Sequence, residues 1–114
     1  MKKLILSTLF AASIIANAHA DQTFTIYEVS GMMMAASVCE GLMARRGHSR
    51  AADIWASASI ELEDSLSGKL PAETLTKMRQ DGFNMGFQES VPEEAGVTID
   101  NLVKECKEAA DTIE

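Results

Sequence analysis

Residues 98–113, TIDNLVKECKEAADTI, decide the fold class. Ile99, Leu102, Val103, Cys106, Ala109, Ala110 and Ile113 recur at intervals of three and four, with charged and polar residues between them. That period gathers the apolar side chains into one stripe of an α-helix. Thr98 stands where an N-cap belongs, and Asp100 follows in the first turn, where a carboxylate suits the helix dipole. Cys106 lies within the apolar stripe, so the sulfur is expected to face the core.

Three more segments show the same period. From about Glu28, Val29, Met32, Met33, Ala36, Cys39, Leu42 and Met43 form a buried face, with Arg45, Arg46 and Gly47 at its close. The nine residues before this, 21–29, alternate as a short extended arm would, so their state stays open between strand, arm and helix start. A second helix is expected from an N-cap at Ser49 to a stop at Gly68, with Ala51, Ile54, Trp55, Ala58, Leu62 and Leu66 inward. A third begins with Pro71 at the first helical position and buries Leu75, Met78, Gly82, Met85 and Gly86, widened by Phe83 and Phe87. Gly82 and Gly86 clear one patch of this helix and let a neighbour come close, which offsets their cost of about 1 kcal/mol each against alanine. Residues 91–97, with Pro92, Glu93, Glu94 and Gly96, read as a loop. The expected architecture is all-α: a compact four-helix array or bundle with short connections and no internal repeat.

The first twenty residues stand apart. Lys2 and Lys3 precede the apolar run 4–16, and Ala18-His19-Ala20 offers the small-x-small pattern of a signal-peptidase site. The expected domain plan is therefore a signal peptide, 1–20, cleaved after Ala20, and a single helical domain, 21–114. A run of about thirteen residues is too short for a spanning helix, which needs about twenty, so no permanent membrane anchor is expected. The periplasm is the expected destination. Processing makes the net charge more negative, from -7 to -9, with eight Lys and Arg against 17 Asp and Glu. That balance repels phosphate and argues against nucleic acid. It steers the chain towards another protein, one that is basic or has a basic cleft. The Glu93-Glu94 loop is the candidate contact, and the sequence leaves room for a homodimer.

Cys39 and Cys106 are the two cysteines of the chain, 67 residues apart. In an oxidising compartment such a pair is expected as a disulfide joining the first and last helices. Closing so long a loop is credited with about 4 kcal/mol in the chain-entropy picture. That is comparable with the whole net stability of a small domain, about 5–15 kcal/mol. A redox pair would show C-x-x-C spacing, and a structural zinc site would need more Cys or His.

No catalytic residue and no cofactor is expected. His48, the one histidine after processing, lies in a turn among arginines and reads as a helix-end cation in solvent. No serine sits in a G-x-S-x-G elbow, and Glu61, Glu63 and Asp64 read as a solvated helix face. Met32, Met33 and Met34 diverge by about 100° each on a helix, so the three do not converge on one metal ion. Core packing, with Met34 as the exposed member of an adaptable surface, is the expectation.

The order Gly82-Phe83-Asn84-Met85-Gly86-Phe87, a loop with Pro92, then Gly96-Val97-Thr98-Ile99-Asp100-Asn101-Leu102-Val103, resembles the type VI secretion amidase-immunity family, as does the context Val38-Cys39-Glu40-Gly41. The resemblance covers about half of the processed chain. It implies a small periplasmic helical protein that binds and blocks a toxic cell-wall amidase. In size and cysteine count alone the chain is also similar to acid-activated periplasmic chaperones, in which carboxylates protonate at low pH and release apolar surface.

Overall fold

Thr25 opens the first helix with a reciprocal pair of hydrogen bonds. Its Oγ1 accepts from the Glu28 backbone N–H at 3.1 Å, and the Glu28 carboxylate accepts from the Thr25 N–H at 2.9 Å. This capping box outweighs the alternation across residues 23–27, and helix α1 runs Ile26–Arg45. Of the three states left open for residues 21–29, helix start is the one found from Ile26. The local capping energy, plus the burial of Met32 and Met33 one turn on, favours helix from Ile26. The computed structural model describes residues 24–91 and 97–113. The expected signal peptide and the Glu93-Glu94 pair lie outside these.

Gly47, at φ +78°, breaks α1, and Gly68, at φ +84°, turns the chain after the second helix. Helix α2 spans Ser49–Leu66, α3 Ala72–Phe87 and α4 Ile99–Ile113. Two boundaries differ by one residue from the sequence reading. His48, not Ser49, holds the N-cap position of α2 and makes no side-chain capping bond. Pro71 is the N-cap of α3 with ψ 142°, outside the helix. Thr98 does cap α4, accepting the Asn101 N–H at 3.1 Å. At the end of α3, Glu89 adopts φ 53°, a conformation usually left to glycine, and the Ser90 N–H returns to the Met85 carbonyl at 2.9 Å.

The fold is all-α, and no named strand occurs among the described residues. Helix α1 lies at the centre, packed along both α2 and α3, while α4 lies across α1 and α2 and α3 touches α2 only lightly. Consequently α1 is buried on almost every side. Met33, Ala36, Cys39, Leu42 and Met43 are enclosed, and so are Ser37 and Gly41 on the other flank. The α4 stripe behaves as its pattern requires, with Leu102, Val103, Cys106, Ala109 and Ala110 all in the core.

Two fastenings join the last helix to the first two. Cys39 and Cys106 form a disulfide between α1 and α4, with Cα atoms 5.5 Å apart. Beside it, the fully buried Trp55 of α2 donates its indole N–H to the Cys106 carbonyl at 2.8 Å. That bond satisfies the one polar group of an otherwise apolar side chain.

Against α3, α1 makes contact backbone to backbone. A Cβ added at Gly86 would overlap the Val38 carbonyl oxygen and stand 2.9 Å from the Leu42 nitrogen. One at Gly82 would stand 2.7 Å from the Ser37 Cβ, and one at Gly41 would overlap the Phe83 carbonyl oxygen. The close approach expected from Gly82 and Gly86 is therefore made with α1, and Gly41 completes it from the facing helix.

Candidate binding surface

One polar network crosses the interior where α1, α2 and α3 meet. The Ser37 hydroxyl donates to the Met33 carbonyl at 2.9 Å. Its single proton being used, it accepts from the Ser59 hydroxyl at 2.8 Å. Ser59 in turn accepts from Arg79 Nε at 3.1 Å, and Arg79 Nη1 reaches Glu63 Oε1 at 3.0 Å. Both serines are fully buried, and the chain of donors leads from a part-exposed guanidinium to a helix carbonyl. Glu40 lies near this network, half-buried. Burial pushes its carboxyl above the ordinary glutamate range; Arg79 opposes the rise and Asp53 adds to it. Glu63 is therefore not part of a solvated face, as the sequence suggests, but the ion-pair partner of Arg79. The network escapes sequence reading because its members lie 16 to 22 residues apart, on separate helices.

A second cluster ties helix ends together at the surface. Arg46 donates to Glu89 at 2.6 Å and to Asp100 at 3.1 Å, joining the turn after α1 to the end of α3 and the start of α4. The Arg46 guanidinium holds the Glu89 carboxyl below the usual range. Arg45 donates to the Phe87 carbonyl at 3.2 Å and lies 5.6 Å from the centre of the Phe87 ring, which stacks on Phe83. These arginines serve the C-terminal end of the neighbouring α3 as much as their own helix.

Of the residues singled out from sequence, both cysteines are spent in the disulfide. His48 is half-buried at its turn, more covered than a cation free in solvent. Among the described residues no three His, Cys, Asp or Glu side chains gather as a metal site, and no helix is long and apolar enough to cross a membrane.

Among the described residues, two concavities are relevant to binding. The first, about 360 Å³, lies where the beginning of α1 meets α3, lined by Gly31, Met32, Met34 and Met78 with Tyr27 at its edge. Met34 is half-buried there rather than fully exposed. Tyr27 is 87% exposed and its neighbour Ile26 43%, an apolar pair left in water on a capped helix. The second, about 530 Å³, runs between α2 and α4 over Ile54, Ala58 and Ile113. Asp53 and Glu61 stand along it.

No family model matches this sequence, and neither a curated protein nor a solved structure matches it.

Proposed function

We propose that the protein is a periplasmic protein-binding module of the inhibitor or immunity class, which neutralises a cell-wall-directed effector. The reading is supported by the acidic excess, by the resemblance of residues 82–103 to the amidase-immunity family, and by a disulfide suited to an oxidising compartment. Tyr27 is the observation that carries it. A tyrosine 87% exposed beside a methionine-lined hollow, on a helix pinned by cap and core, has the character of an interface anchor. Glu93 and Glu94 remain the contacts proposed from charge.

The test is a pull-down from periplasmic extract with residues 21–114 as bait, followed by a turnover assay on the cell-wall hydrolase captured. The expected result at neutral pH is a stoichiometric complex and loss of hydrolase turnover. Tyr27→Ala should weaken the complex by at least tenfold, a central anchor being worth about 2 kcal/mol or more. An unchanged turnover rate with no complex overturns the reading.

A second reading, an acid-activated chaperone, is favoured by the Arg46 clasp. Because Arg46 lowers the folded pKa of Glu89, this pair contributes stability above the unfolded glutamate pKa, and the contribution disappears as pH falls through the lowered value. Acid would thus loosen the junction of α1, α3 and α4. Suppression of aggregation of a denatured client at about pH 2–3 and not at pH 7 is expected on this reading; equal behaviour at the two values removes it.

A further inference from the structure

The groove between α2 and α4 differs from the Tyr27 hollow in its chemistry. Its floor is apolar: Ile54 and Ala58 from α2, Ile113 from α4. Its rim is anionic. Asp53 and Glu61 are exposed, and neither forms an ion pair among the described residues. They lie eight positions apart on one helix, a rise of about 12 Å. Ile60, 46% exposed, and Asp64 extend the same outward face. Arg50, bridged to Asp111 at 3.7 Å, stands at the other end and is already matched in charge.

We infer that this groove receives a cationic amphipathic segment of a partner polypeptide, with two basic side chains about 12 Å apart on Asp53 and Glu61 and an apolar side chain between them on the floor. Charge decides the occupant. A second copy would set carboxylates against carboxylates, and a phosphate-bearing surface would be repelled in the same way. A wholly apolar segment would leave both carboxylates desolvated without partners. Lys or Arg flanking a Leu-sized group meets the floor and the rim together. This rests on the protein-binding reading above and supplies the chemistry of the partner.

The test uses the oxidised, processed chain, isotopically labelled, and a synthetic helical peptide with Lys at positions i and i+8 and Leu at i+4. Saturable binding is expected, weakened by salt, with amide shifts centred on Ile54, Ser57, Ala58, Glu61 and Ile113. Glu61→Lys should weaken it at least tenfold. Glu73→Lys, the same charge change at an exposed site on α3, should leave it within twofold. Replacing the peptide's Leu by Gln should also cost at least tenfold. Equal losses for both protein variants, a shift map centred on Tyr27, or no saturable binding overturns the inference. Because the peptide stands in for the effector, failure here alongside successful hydrolase inhibition removes the groove alone, whereas failed inhibition removes the protein-binding reading.

Discussion

Helices α3 and α4 are both held against α1, by opposite means. The α1–α3 contact carries few large side chains at its closest point. Gly41, Gly82 and Gly86 let two backbones touch, so its strength is the sum of many short dispersion contacts that depend on shape. The α1–α4 contact is narrower, and the Cys39–Cys106 bond fastens it, while the Trp55 hydrogen bond to the Cys106 carbonyl ties α4 to α2 beside it. Close backbone fit holds α3 along α1, whereas α4, of almost the same length, meets α1 over a smaller contact that a covalent tie reinforces.

The largest effect should come from cutting that tie. Cys39→Ala with Cys106→Ala is expected to cost about 2–5 kcal/mol, read by denaturant unfolding against the oxidised parent. The comparison adds a sharper expectation: amide exchange should accelerate most in α4 and least along α1 and α3. Uniform acceleration would show that the two contacts form a single cooperative unit.

Gly86→Ala attacks the other contact. The new Cβ meets backbone atoms of Val38 and Leu42, which cannot rotate away, so α3 must shift as a body. A loss of about 1–3 kcal/mol is expected, with exchange faster in α3 and α4 left protected. A neutral or stabilising result, as helix propensity alone would give for glycine to alanine, would show that α1 and α3 do not touch backbone to backbone at Gly86.

Ser59→Ala breaks the polar network shared by α1, α2 and α3. The Arg79 Nε–H and the Ser37 oxygen each lose a partner, while Ser37 keeps its bond to the Met33 carbonyl. A loss of about 1 kcal/mol is expected, measured by thermal unfolding. Ser59→Thr, which keeps the hydroxyl, should recover part of it if the added methyl is accommodated.

Glu40→Gln should give the smallest change, and a gain. Burial raises the Glu40 pKa in the fold, so the native state binds this proton more readily than the unfolded chain does. The ionised carboxylate therefore weakens the fold at neutral pH, and the handicap shrinks as pH falls through the raised folded value and is gone below the unfolded glutamate value. The variant should melt slightly higher than the parent at pH 7, with the difference closing near pH 4. A lower melting point at pH 7 would show that the attraction of Arg79 outweighs burial.

Much of this arrangement is legible in the residues. The period of residues 99–113 returns a helix whose stripe is buried almost as written, because one-sided burial is what an amphipathic pattern encodes. Gly47, Gly68 and Thr98 punctuate the chain where their chemistry places them. The disulfide pairing follows from two cysteines on two apolar stripes. The segment before Glu28 stayed undecided in sequence because a short alternating run competes there with a capping box, and the capping box prevails. The flank of α1 that bears Ser37 and Gly41 is the more instructive miss. These small or polar residues look like solvent positions until α3 and Ser59 are laid over them.

The sequence by itself determined the elements: four helices, their stops, the inward stripe of α4 and the sulfur pair that links the ends; the Ser37 and Gly41 flank of α1 and the exposure of Phe87, read as part of the buried face of α3, it did not. The elements rest on local energies, namely side-chain period, capping and turn geometry, which act over a few neighbouring residues. Only the tertiary structure decided that α1 is the central helix, that Gly41 meets Gly86 across an interface, that Arg79 completes a buried hydroxyl chain, and that Ile54 and Ile113 floor one groove. Each of these depends on which helix faces which, and that choice is made by shape and charge matching between residues far apart in the chain, where no periodicity reaches.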